Sequence, residues 1–266
     1  MDNIVYQLGL EELAMSVSLA GSPQAAKGML VANLGELDTN EEHGRLMAAN
    51  HSLMAKGLLV IEDDGPRLQP DFEKAISVLT QYDYTLRFSI GSGASEEILA
   101  FYAKDNHIVK HENRQGVVHI LSFASGIEQI VEDGAAFFHI NEQAVTGQNG
   151  LELEVRYSVL EEARQVAATT PRRLTNFLEV SGVPRKIATM LAEDLIRPEY
   201  RGSVMRVELV ENRMVSDYGF LVLKGQQRAW FFPIVARKNE PYARIVAGTK
   251  QSFKREIQVL MELTNE

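Results

Sequence analysis

A chain of 266 residues with 45% hydrophobic and 24% charged residues has an ordinary globular composition, and it is long enough for one large domain or two small ones. It contains no cysteine, which excludes a disulfide framework and a thiolate zinc site. The net charge of −9 is unevenly shared, with 9 Lys and Arg against 21 Asp and Glu in residues 1–150 and 18 against 15 in residues 151–266, so the first part repels phosphate backbones.

The opening MDNIVYQLGLEELAM has no basic segment followed by an apolar block. No run approaches the roughly 18 apolar residues of a spanning helix. The expected setting is cytoplasmic, away from membranes. Residues 4–20 reach a helical stripe at Leu10, Leu13, Ala14 and Val17. Ser22-Pro23 predicts an N-cap followed by Pro at the first helical position, where the missing amide is harmless. A third helix over about 41–56 places Leu46, Met47, Asn50, Leu53 and Met54 along one side. LLVIEDDGPRLQP then reads as a strand, an acidic turn and a return, and Pro70 opens a helix with Phe72, Ala75, Ile76 and Leu79 inward.

From Tyr84 come four runs rich in β-branched and aromatic residues (TLRFSI, EEILAFYAKDN, HIVKHEN, GVVHILSF), closed by the helical SGIEQIVED. The same grammar returns as SVMRVEL, SDYGFLVLKG, QRAWFFPIV, YARIVAG and QSFKREIQVLMEL. Its prelude returns too: Tyr157 with Leu160-Glu161-Glu162 echoes Tyr6 with Leu10-Glu11-Glu12, and Thr170-Pro171 echoes Ser22-Pro23. The expected fold is α+β, with two pseudo-symmetric halves, each a helical segment followed by a mainly antiparallel β-β-β-β-α unit. The boundaries are a first repeat at 1–140, a turn-rich linker at 141–150 and a second repeat at 151–266.

Helix, helix and hairpin over residues 23–79 form a winged-helix-like order, which admits a DNA-binding regulator as one function class. The helix that would enter the groove begins Glu41-Glu42 and the wing tip is Glu62-Asp63-Asp64, so nucleic acid is not the expected partner. His107 and His111 would share one side of a helix, but on a strand four residues span about 13 Å, too far for two ligands of one ion. His119 approaches one of them only if the strand register allows. No metal and no cofactor are expected, although a small-molecule-binding protein or enzyme with a cleft between the halves, where these histidines meet a carboxylate, is a second alternative. The Ala247–Ser252 stretch, running from strand to helix, reads as a cap rather than a phosphate loop. Tyr218 and Phe220 on one strand, with Trp230 and Phe232 on the next, alternate at period 2 and are expected on one sheet face, as core or as partner-binding anchors.

The run Arg201-Gly202-Ser203-Val204, the apolar strand ending at Lys224-Gly225, QQRAWFFPIV and the long last helix resemble the EspG family of type VII secretion chaperones. The segment from Lys56-Gly57-Leu58-Leu59 through the acidic turn to Pro70 is similar to the same family. The resemblance implies a pseudo-twofold arrangement of antiparallel sheet and helices. It also implies a non-enzymatic role, a cytosolic chaperone that keeps the helical tip of a secreted client soluble.

Overall fold

The structure, a computed structural model, describes residues 4–63, 65–91, 96–140, 151–167, 170–210, 213–237 and 240–263. The chain begins with β1 (Val5–Gly9), α1 (Leu10–Leu19), α2 (Pro23–Leu34) and α3 (Thr39–Ala55). A hairpin of β2 (Leu59–Glu62) and β3 (Gly65–Leu68) and then α4 (Pro70–Thr80) follow. Next come β4 (Tyr84–Ile90), β5 (Glu97–Lys104), β6 (His107–Arg114), β7 (Val118–Ala124) and α5 (Ile127–Phe137). The second series is β8 (Glu152–Arg156), α6 (Tyr157–Val166), α7 (Pro171–Val180), α8 (Arg185–Ile196), β9 (Tyr200–Val210), β10 (Arg213–Lys224), β11 (Ala229–Arg237), β12 (Glu240–Ala247) and α9 (Lys250–Glu262). The fold is α+β, and the element order of the second series is that of the first without the β2–β3 hairpin and α4. The turn-rich residues 141–150 lie outside the described residues, as does Asp64 at the wing tip.

The helix starts follow from local chemistry. Asp38 accepts from the amides of Asn40 and Glu41, the Gln69 side chain from Phe72, and Thr170 Oγ1 from Arg173, each satisfying a donor that a helix start leaves open. Thr249 and Ser252 cap α9 reciprocally, so the 247–252 stretch is a helix cap. Ser22 holds the N-cap position of α2 without a side-chain cap bond. On α3 the expected stripe is rotated: Ala49 and Leu53 face inward, while Met47 and Met54 are 40% and 42% exposed.

Each series contains a strand that hydrophobic period did not reveal. β1 runs directly into α1 and β8 directly into α6, with no turn residue between strand and helix to mark the change. β1 pairs antiparallel with β7, the last strand of its series, and β8 pairs antiparallel with β12, the last of its own. The two series therefore share one strand order, β1-β7-β6-β5 and β8-β12-β11-β10.

The residues cluster into two compact units. The first comprises Met1–Thr85, Ile98–Ser125 and Glu208–Met214. Its helices lie on one sheet face, where Tyr6, Leu8, Val109 and Leu121 meet Leu13, Val17, Leu53, Phe72 and Ile76 in a single core. The second comprises Leu86–Glu97, Gly126–Val207 and Val215–Glu266. Its sheet is covered twice. On one face Leu223, Trp230, Phe232 and Ile245 pack with Leu174, Leu178, Leu191 and Leu195; on the other, Phe220 and Phe231 meet Phe253 of α9 at ring separations of 6.0 and 5.7 Å.

Close backbone approach in the second unit depends on glycine. A Cβ at Gly202 on β9 would lie 2.4 Å from the Ser89 carbonyl oxygen and 2.9 Å from the Phe138 ring. Gly202→Ala is expected to destabilise by about 2–3 kcal/mol, because the nearest obstacle is backbone that no rotamer change relieves. By contrast, a Cβ at Gly44 of α3 meets nothing within 4 Å. Gly44→Ala should stabilise by about 0.5–1 kcal/mol by removing backbone freedom from the unfolded chain, and thermal unfolding of the two variants side by side checks both signs.

Candidate functional site

The expected aromatic face divides in two. Across β10 and β11, Leu221 pairs with Phe232 and Leu223 with Trp230, while Phe220 pairs with Pro233. Residues directly opposite in an antiparallel pair share a face, so Trp230 and Phe232 point to the face covered by α7 and α8 and Phe220 to the face covered by α9. This corrects the one-face expectation, which lacked the register. Phe220, Trp230 and Phe232 are buried, and Tyr218 is 49% exposed.

Trp230 leads to a residue that pattern reading passed over. Asp194 on α8 is 4% exposed and accepts from Trp230 Nε1 at 2.8 Å and from Arg228 Nε at 2.8 Å. Arg228 also reaches Glu193 at 2.7 Å. The turn Gly225–Arg228 is drawn onto Asp194 so closely that a Cβ at Gly225 would lie 2.0 Å from its Oδ1. Beside this clamp opens a cavity of about 600 Å³ whose walls include Ile196, Arg197, Gln226 and Gln227. Asp194 is a helix residue, and nothing in a helical stripe separates a carboxylate that pairs inward from one that is solvated.

In the first unit the faces differ. The surface away from its helices carries Val5 and Gln7 on β1, Val118 and Ile120 on β7, and Ile108, Lys110 and Glu112 on β6, as the registers Gln7–Ile120–Glu112 and Val5–Ser122–Lys110 require. Val5 is 58% exposed, and Ile108, Val118 and Ile120 are half-buried. Lys110 and Glu112 form an ion pair at 2.8 Å within the patch. The corresponding face of β12 and β8 is occupied: α9 lies there, with Glu256 accepting from Arg244 at 2.7 Å. An antiparallel sheet commonly leaves one face to solvent, but here one copy of the topology is covered and the other presents apolar and paired charged residues at its surface.

The border of this patch is held by a polar cluster. Lys56 Nζ donates to the Gln7 carbonyl at 3.0 Å and to Glu12 at 2.7 Å, and Glu12 accepts from the Gly9 amide at 2.6 Å and Ser52 at 2.6 Å. Burial works against the Glu12 charge, yet these donors together hold its carboxyl below the usual carboxylate range. The Gln7 carbonyl and the Gly9 amide of β1 thus already have partners, which blunts that end of the edge against strand addition.

The histidines meet differently from a metal site. His111 pairs across with Leu121 and His119 with Asn113, a diagonal relation that brings His111 Nε2 to 2.9 Å from His119 Nδ1 with the rings stacked. His107 pairs with Lys104 and stands apart from that contact. Among the described residues no group of three or more His, Asp or Glu side chains has the arrangement to hold a metal ion. Burial, with the neighbouring His119, pushes the His111 pKa down to about 4, and burial lowers that of His119.

The YfjC family, described as "Uncharacterised protein YfjC", matches residues 7–255. The chain belongs to this family. Among solved structures, that of the Mycobacterium tuberculosis type VII secretion system chaperone EspG5 in complex with a PE25-PPE41 dimer is similar in fold, with a TM-score of 0.71, 12% identity, and 98% of this chain and 97% of that chain covered. The fold is EspG-like, as the resemblance at Arg201–Val204 and Lys56–Pro70 implied. No curated protein gives a significant match. No helix among the described residues is long and apolar enough to cross a membrane.

Two outcomes are expected of this chemistry. Asp194→Ala leaves the Trp230 N–H without its acceptor and Arg228 with Glu193 alone, and should cost about 3 kcal/mol, with Asp194→Asn milder; fluorescence of Trp230, the only tryptophan, reports the unfolding directly. The histidine pair is neutral when folded, and its folded pKa values lie below the ordinary 6.5, so the unfolded chain binds more protons between the two. Stability is therefore complete above about pH 6.5 and falls as pH drops toward 4, where His111 takes up its proton. Replacing His111 with Gln should flatten that part of a denaturation profile measured across pH.

Proposed function

We propose that this protein is a non-enzymatic protein-binding module that holds a helical segment of a partner, in the manner of a chaperone for a secreted client. The observation that carries the reading is the partly open face of β1, β7 and β6, set in a fold that EspG5 shares over nearly its whole length and that was captured there with a protein dimer. The face suits an amphipathic helix: Val5, Val118 and Ile120 offer apolar contact, and Lys110 with Glu112 offers a polar register. Tyr218, the exposed member of the four aromatics, is a further proposed contact within the second unit, while Phe220, Trp230 and Phe232 are buried. On this reading the protein works in the cytoplasm on a protein partner, without nucleic acid or cofactor, and its two halves, 1–140 and 151–266, are copies of one unit.

The test begins with affinity isolation of the tagged protein from its own source and identification of any stoichiometric partner. Binding of the purified pair is then measured for the parent, Val5→Glu and Ile120→Glu. A client held on this face should lose at least about 10-fold in affinity with either change and lose solubility when the module is withdrawn. Unchanged affinity in both folded variants would remove the face from the reading, and a partner equally soluble alone would remove the chaperone role.

A further inference from the structure

The cavity beside the Asp194 clamp has more open hydrogen-bond donors than acceptors in its wall. Asp194 is already engaged by Trp230 Nε1 and Arg228, and Glu193 gives one oxygen to Arg228 Nη2 at 2.7 Å. Arg228, its side chain 15% exposed, commits Nε and Nη2 to these carboxylates, and its Nη1 has no partner among the described residues. Arg197 lies on the same wall as the C-cap residue of α8, and among the described residues its guanidinium has neither a hydrogen bond nor an ion pair. A cation suits a helix C-terminus, which accounts for the charge at that position but leaves five N–H donors unused. The side-chain amides of Gln226 and Gln227 are likewise unpartnered among the described residues. The turn that carries them is fixed, by the Gly225 amide donating to the Arg228 carbonyl at 2.8 Å and by the close packing of Gly225 on Asp194.

We infer that this cavity binds a small hydroxyl-bearing phosphate ester of the sugar phosphate class. Arg197 and the open Nη1 of Arg228 supply the guanidinium donors that suit phosphate oxygens. The two arginines offset both wall carboxylates, and Arg172 and Arg173, exposed directly after Pro171 of the wall, turn the local balance positive. The glutamine amides both donate to and accept from hydroxyls, and the second oxygen of Glu193, on a side chain 56% exposed, accepts from another. Pro171 and Ile196 give the wall an apolar part for a ring face. A volume of about 600 Å³ is that of a small-molecule site and exceeds the need of an inorganic phosphate ion. Arg228 is oriented by two carboxylates before any ligand arrives, so binding requires little ordering there.

Titration of the full chain with ribose 5-phosphate, inorganic phosphate and ribose tests this, read by calorimetry and by fluorescence of Trp230, which the Asp194 carboxylate links to Arg228. The expected result is saturable binding of ribose 5-phosphate below about 1 mM, weakened by salt, with inorganic phosphate and ribose each at least about 10-fold weaker. Arg197→Ala removes a side chain that holds nothing in the fold, so thermal unfolding should be unchanged while affinity for ribose 5-phosphate falls about 10- to 100-fold. Gln226→Ala should weaken ribose 5-phosphate about 3- to 10-fold and leave inorganic phosphate unaffected. No binding of ribose 5-phosphate up to about 10 mM would overturn the inference. So would inorganic phosphate or ribose bound equally well, or an affinity indifferent to Arg197→Ala in the folded variant.

Discussion

The constraint on which the rest depends is the pairing of the first strand of each series with its last. β1 meets β7 across more than a hundred residues, with Val5 opposite Ser122 and Leu8 opposite His119; β8 meets β12 in the same sense, with Val155 opposite Ala243. Loop-closure entropy grows only slowly with separation, so such a contact is affordable. Once made, it puts α1 and α6 directly against the sheet, since each leaves its strand without a connecting loop. The helical layer on one face follows.

The same strand order reaches different surface chemistry in the two series. Where α9 lies on the sheet, Phe253 closes over Phe220 and Phe231, and Arg244 is committed to Glu256. On β1, β7 and β6 the corresponding positions hold Val5, Ile120, Lys110 and Glu112 at a partly open surface. A sheet face that is neither buried nor fully polar is suited to taking up a partner, because apolar contact is available without a large patch that would aggregate alone.

Buried polar groups divide by how completely they are paired. Asp194 joins an indole and a guanidinium and ties α8 to the β10–β11 turn. The Glu12–Lys56 pair meets carbonyl and amide of β1 and holds the edge strand. The two histidines, in contrast, cannot both be charged, since two imidazolium rings stacked at 5.2 Å would repel one another in a poorly solvated place. The first two arrangements hold elements in position; the third makes the first unit sensitive to acid.

Much of the secondary structure was determined by sequence alone. The Phe72, Ala75, Ile76, Leu79 stripe, the Pro-led helix starts and the eight strand runs from Tyr84 to Ala124 and Ser203 to Ala247 have periods that admit one assignment each, and their recurrence showed the repeated order. Five residues such as VYQLG are too few to establish a period of 2 when the next residue already belongs to a helix, so β1 and β8 required their partners to be seen. Side-chain facing required the register, because one residue of slip exchanges the two faces of a strand. That is why Phe220 separated from Trp230, why His111 met His119 rather than His107, and why the exposed face of the first unit was not legible until β1 was placed beside β7. Local sequence carries the geometry of each element; which surfaces those elements cover is a property of contacts between residues far apart in the chain.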